Sequence, residues 1–246
     1  MSIESELDWV GLREVGRITS RVLDLLVGLA RPGITTGDLD AAAGDLVRTE
    51  GAQSAPALEY GFPRTVLISV NDEVVHGIPG ARVLREGDVV SFDVTLTKGG
   101  YVADAARTVM VGAGTREAVR LITCATTSLE AALRVVRPGV PVNAIGRAVS
   151  GVVRQQGFGV VQGLVGHGVG RSIHEAPRVP NECDRWQRDV LTNGLVLTIE
   201  PMISAGATRV VMDPDGWTLR TRDGSLSAHV EHTLVVTHAG PVILAA

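Results

Sequence analysis

The sequence predicts an α+β fold spanning residues 1–246 as one domain, built from two halves of similar topology, about 1–112 and 113–246. Three observations predict it: an internal repeat, a long helical pattern before each copy, and a strand in each half that carries an acid at the same point. Residues 31–51 (RPGITTGDLDAAAGDLVRTEG) align without a gap on 137–157 (RPGVPVNAIGRAVSGVVRQQG), with Arg31, Pro32, Gly33, Ala42, Val47, Arg48 and Gly51 recurring as Arg137, Pro138, Gly139, Ala148, Val153, Arg154 and Gly157. Before the first copy, Val15, Ile18, Val22, Leu25, Leu26 and Leu29 fall at helical spacing. Before the second, Leu121, Ile122, Ala125, Leu129, Ala132, Leu133 and Val136 do the same. Further on, REGDVVSFDV (85–94) superposes on TNGLVLTIEP (192–201), placing Gly87 on Gly194 and Asp93 on Glu200. A pseudo-two-fold arrangement would bring these acids together at the seam between halves, where binding sites tend to lie; a tandem duplication with no shared site fits the repeat equally.

Composition narrows the function classes. A chain with 45% hydrophobic and 20% charged residues has ample apolar material for a folded core. Aromatics are only 3%, so Val, Leu, Ile and Ala must build that core. A formal charge of −4 without blocks of like charge offers no field for nucleic acid or an anionic membrane. The expected partner is a small molecule or peptide. Two cysteines cannot make a disulfide framework, the start MSIESELDWVGL lacks the basic-then-apolar pattern of a secretory signal, and no apolar run nears the roughly 20 residues that cross a bilayer. The expected location is cytoplasmic. No heptad pattern marks a permanent partner, so a monomer is expected.

Between Asp88 and Gly112 the chain alternates and is broken by Lys98-Gly99-Gly100, a hairpin signal. With the turn centred between Lys98 and Gly99, Asp93 and Asp104 are equidistant from it and face each other across the ladder. Facing Cβ atoms lie about 4.5–5.5 Å apart, where like charges destabilise a sheet unless a cation sits between them. Val90, Phe92, Val94 and Leu96 form the core face; Ser91, Asp93, Thr95 and Thr97 share the other with Asp104. The alternative is a solvated polar face on which a register slip separates the acids.

Three further residues complete a candidate ligand set. His167 sits among Gly166, Gly168 and Gly170, so something is expected to approach its backbone closely. Glu200 follows the apolar run LVLTI and Glu231 precedes HTLVVT, and an acid tied to such strands is costly unless paired, protonated or metal-bound. Four carboxylates and one imidazole suit Mn, Fe, Co, Ni or Zn. Two such cations about 3.5–4 Å apart activate a water and polarise a carbonyl together, which is hydrolytic chemistry. His76 and His174 remain free to contact substrate; each also reads as a hydrogen-bonded loop histidine.

The segments NDEVVHGIPG, FDVTLTKGGYVADAARTVMVG, GHGVGRSIHEAP, TIEPM and EHTLVVT resemble, in order and spacing, the motif series of type I methionine aminopeptidases. That resemblance covers nearly the whole chain. It implies the pita-bread fold, two pseudo-symmetric halves around a curved antiparallel sheet flanked by helices. It implies removal of the initiator methionine from nascent chains, hence work near the ribosome, with small second residues preferred. Asp93 is then a ligand of one metal, His167 and Glu200 of the other, and Asp104 and Glu231 bridge both. Glu200 also becomes the general base for the attacking water, His174 the stabiliser of the tetrahedral intermediate, and His76 a contact near the scissile bond. The methionine pocket falls at Pro56, Phe62, Leu67, Ile173 and Trp217. Here the chain departs from a common form of the family, which has cysteines at the positions of Pro56 and Leu67.

Rival readings are proline-specific peptidases and creatine-cleaving enzymes of the same fold, a type II enzyme, a binding protein on a decayed scaffold, and a structural calcium or magnesium protein. The early first ligand, Asp93, leaves no room for the extra N-terminal domain of the proline-specific enzymes. The 31-residue spacing of Glu200 and Glu231 excludes the type II insertion. All five ligands are present, against decay, and His167 speaks against an all-oxygen calcium site.

Overall fold

The computed structural model describes residues 1–246. Helix α1 (Glu6–Leu29) starts at a capping box between Ser5 and Asp8 and buries Leu12, Val15, Ile18, Val22 and Leu26 along one stripe. Helix α2 (Thr36–Thr49) has the same device in Thr35 and Asp38. The short α3 (Ala55–Tyr60) takes Pro56 in its first turn and ends on left-handed Gly61. In the second half, α4 (Arg116–Val135) and α5 (Asn143–Gln155) repeat the first pair.

The repeat is structural in detail. Gly33 and Gly139 both adopt positive φ, and their N–H groups donate to Leu84 O and Leu191 O at 2.9 and 2.8 Å. The isolated bridges Thr35–Val83 and Pro141–Val190 are a matching pair. Two cores form: one of 30 residues around α1 and the long hairpin, which also takes in Val169, Ile173, Val196, Val235, Leu244 and Ala245 of the second half, and one of 21 around α4 and α5. No helix is long and apolar enough to cross a membrane.

The hairpin joins strands Val89–Lys98 and Tyr101–Met110, and its register corrects the sequence expectation: Asp93 faces Ala106 and Asp104 faces Thr95. The turn residues are Gly99 and Gly100, both at positive φ, as a two-residue type I′ turn requires. The turn therefore lies one residue later than expected and moves the acids from opposite to diagonal. They still share one face, as alternation demands. Nor is that face solvated: Ser91, Thr95, Asp104 and Thr108 are buried beneath the second half.

Four hydrogen-bonded sheets assemble the curved layer. Strand Leu67–Val70 pairs with Val89–Lys98, putting Leu67 opposite Asp93. On the other side, the bridge Ala106–Glu231 crosses the seam to the antiparallel pair Val196–Ile199 and His232–Val235. One row across the strands thus reads Leu67, Asp93, Ala106 and Glu231, with Glu200 continuing the register of the last pair. The next row on the same face reads Thr95, Asp104, Thr233, Thr198 and His167; Thr233 faces Thr198, Asp104 N–H donates to Thr233 Oγ1 at 3.0 Å, and His167 N–H donates to Thr198 Oγ1 at 3.1 Å.

Phe92, on the opposite face of the Asp93 strand, is the largest fully buried side chain of the first core. Phe92→Ala is expected to lower unfolding free energy by about 3–5 kcal/mol, measured by urea denaturation with an unchanged m-value.

Candidate metal centre

The two rows bring all five predicted ligands together. Glu200 Oε1 lies 3.3 Å from His167 Nε2, and ligand atoms of Asp104, His167 and Glu231 fall within 4.8 Å of one another. The supporting bonds come from threonines the sequence reading left out. Thr95 Oγ1–H donates to Asp104 Oδ1 at 2.8 Å, and Thr198 Oγ1–H donates to Glu200 Oε1 at 2.9 Å. Asn181 Nδ2–H holds the Glu200 carbonyl at 2.9 Å. The glycines around His167 do permit a close approach, but of backbone: a Cβ on Gly166 would meet Thr198 O at 2.6 Å and one on Gly168 would meet Ala176 O at 2.1 Å.

Electrostatics show what the cluster lacks in the way of partners. Burial, aided by Asp104 and then Glu200, pushes Asp93 well above the usual carboxylate range. Burial and Asp104 do the same to Glu200, and burial with Asp104, Glu200 and Asp93 to Glu231. Asp104 is raised by burial. Burial holds His167 below its ordinary value, and because its Nδ1 lies 3.0 Å from the Gly168 carbonyl, which only accepts, the proton sits on Nδ1 and the Nε2 lone pair is free. Asp93 Oδ1 and Glu231 Oε1 are buried without hydrogen-bond partners. Unpaired acid oxygens beside a neutral imidazole are the ligand forms a divalent cation requires, and its charge would relieve the repulsion among them. The residues fit such a group.

A cavity of about 120 Å³ opens onto these atoms. Pro56, Leu67, Ile173 and Trp217 line its apolar side and His76 and His174 its polar one, together with Tyr60, which was not foreseen. The Tyr60 hydroxyl is hydrogen-bonded to His174 Nδ1 at 2.8 Å, and the His174 ring stands 4.3 Å from that of His167. Burial, and then His167, lowers His174; burial and His174 lower His76. His76 adopts φ +61, a left-handed conformation costly for a non-glycine residue. The expectation for Phe62 is corrected: it is buried behind Trp217, edge to face at 5.2 Å, and supports the wall without lining it. The reading also missed His229, buried beside Glu200 and Glu231 and held by burial down to about 3.

A five-donor, carboxylate-rich centre at the seam of two similar α+β halves defines a divalent-metal hydrolase of duplicated architecture. The chain belongs to metallopeptidase family M24, whose model matches residues 10–238. It is 41% identical over 245 residues to the methionine aminopeptidase of Staphylococcus epidermidis, covering 99% of this chain and 98% of the relative. It is likewise 41% identical to that of Escherichia coli K12, covering 99% and 93%. The methionine aminopeptidase structure from Rickettsia prowazekii superposes with a TM-score of 0.95 at 34% identity, covering 100% of both chains. That from Thermotoga maritima superposes at 0.96 and 35%, covering 99% of each. Prolidase from Pyrococcus furiosus shares the fold alone, with a TM-score of 0.79 at 20% identity, and this chain covers 65% of it. The architecture is the pita-bread fold, and the family is one of divalent-metal enzymes.

Chelation of bound metal is expected to lower the melting temperature by leaving four buried acids facing one another. Glu231→Gln, which removes one of those acids, should melt higher than the parent in the chelated form, by a few degrees at about 2–4 °C per kcal/mol. It should also lose most of the gain on adding Mn or Co. Differential scanning calorimetry of both proteins, with and without metal, checks this.

Proposed function

We propose that this chain removes N-terminal methionine from peptides and nascent proteins, working in the cytoplasm as a monomeric, single catalytic domain that meets its substrates near the ribosome. The observation that carries the reading is the convergence of five donors on a small cavity with one apolar wall, joined to the 41% likeness to methionine aminopeptidases. Two divalent cations, drawn from Co, Mn, Fe, Zn or Ni, would be held here: Asp93 would serve one, His167 and Glu200 the other, and Asp104 and Glu231 would be shared. Such cations would lower the pKa of water and polarise a carbonyl.

The chain's own residues do the rest. Leu67 faces Asp93 in register, so a methionine side chain against Leu67, Pro56, Ile173 and Trp217 leaves its free amine beside Asp93. An amine can sit there and a continuing peptide cannot, which restricts cleavage to the first bond. Glu200, whose Oε1 is fixed by Thr198, takes the proton of the attacking water. His174, exposed at the cavity mouth and braced through Nδ1 by Tyr60, turns Nε2 to the developing oxyanion. His76 contacts the substrate near the scissile bond. A second residue larger than Gly, Ala or Ser crowds His76 and His174.

Purified protein with Mn or Co is expected to release methionine from Met-Ala-Ser, and Met-Leu-Ser is expected to be a poor substrate, read by mass spectrometry. No release from Met-Ala-Ser with any of the five metals would refute the assignment. His174→Ala should cut kcat by about 10²–10³, the usual cost of one oxyanion donor. Tyr60→Phe should cost about tenfold, the equivalent of one hydrogen bond near 1.4 kcal/mol.

A further inference from the structure

The His229 imidazole is the one group of the site region to which neither the expected ligand set nor the cavity gives a task. It closes strand Ser227–His229, opposite Met202, and is 2% exposed. Its backbone is pinned on both sides: its N–H donates to Thr108 Oγ1 at 2.9 Å, and Thr108 Oγ1–H donates back to the His229 carbonyl at 2.6 Å. Ser91 Oγ lies 2.7 Å from the same hydroxyl. Since the Thr108 proton is already used, Ser91 is the donor, and a hydroxyl chain from the first half sets where the His229 ring stands in the second.

Neither ring nitrogen has a hydrogen-bond partner, although both are buried. A pinned, buried ring with an unused N–H is expected to serve some acceptor. The nearest charged oxygens to Nε2 are Glu231 Oε2 at 3.7 Å and Glu200 Oε2 at 3.9 Å. The two oxygens of Glu200 are therefore divided: Oε1 belongs to Thr198 and faces His167, while Oε2 turns to His229. Those separations exceed a hydrogen bond by a few tenths of an ångström, which a small carboxylate rotation closes. His229 is not part of the cavity wall, so a cation reached from the cavity meets the two glutamates before it meets this ring.

We propose that His229 is a positioning residue of the metal centre: its Nε2–H is shared by Glu200 Oε2 and Glu231 Oε2, and so sets the direction in which both carboxylates offer their other oxygens to the cations. This role rests on the ligand set proposed above. Partners of that kind, once removed, commonly cost 10–100-fold in metal affinity or activity.

The test uses the full chain with His229→Leu, His229→Met and His229→Gln, of which only the last keeps an N–H at similar reach. Calorimetric titration with Co(II) should show affinity 10–100-fold weaker for Leu and Met, and within about threefold of the parent for Gln. The visible absorption of the Co(II) form should change in Leu and Met and return in Gln. With Met-Ala-Ser, Leu and Met should lower kcat and leave KM within about twofold. If Leu fails to fold, Met carries the comparison. Co(II) affinity and spectrum unchanged in Leu or Met, even with a lower melting temperature, overturn the role and leave the ligand set standing. Failure of Gln to restore either readout overturns the shared N–H. No Co(II) binding by the parent chain overturns the ligand set, and this role with it.

Discussion

Four carboxylates gathered on one face of a β-layer, three of them buried and the fourth, Asp93, with one buried oxygen, are the constraint on which the rest of this structure turns. Such a cluster opposes its own folding unless cations neutralise it, so everything around it must hold the acids in place against mutual repulsion. Two adjacent rows of one curved β-layer do this. Asp93, Glu231 and Glu200 lie in the first and Asp104 and His167 in the second, on a common face. Within a row, neighbouring strands are about 4.8 Å apart, and rows two residues apart are separated by about 7 Å. Sheet geometry alone thus confines the five side chains to a small region of one face. Ala106, between Asp93 and Glu231, keeps the middle of the first row clear.

The second layer of support is made of hydroxyls. Thr95, Thr198 and Thr233 each hold a ligand residue by side chain or backbone, and Ser91 and Thr108 hold His229. β-branched threonine suits a strand and offers both a donor and an acceptor without adding charge. In a site already crowded with acids, that is the chemistry available for orienting carboxylates without competing for the cations.

Much of this was legible in the sequence, for physical reasons that can be named. The repeat exposed the duplicated halves because its positive-φ glycines, Gly33 and Gly139, do the same backbone work in each. The acids could be assigned to one face because strand alternation has a period of two, which survives a two-residue register change. The register itself was misplaced, although Gly99-Gly100 carries the type I′ signal: two consecutive glycines mark the centre of such a turn better than Lys98-Gly99 does. Tyr60 and His229 were not legible, since each acts on residues far away in the chain, His174 and Glu200, and nothing local marks it. Phe62 was placed in the pocket wall when it stands one layer behind, a distinction that only the edge-to-face contact with Trp217 decides.

The placement of the centre on the seam has a consequence for how such a chain can change over time. Asp93 and Asp104 come from one half, and His167, Glu200 and Glu231 from the other. A break in the stretch before α4 would leave two of the clustered side chains on one piece and three on the other. Two halves that differ at most positions are thus tied to one continuous chain by the cluster they share.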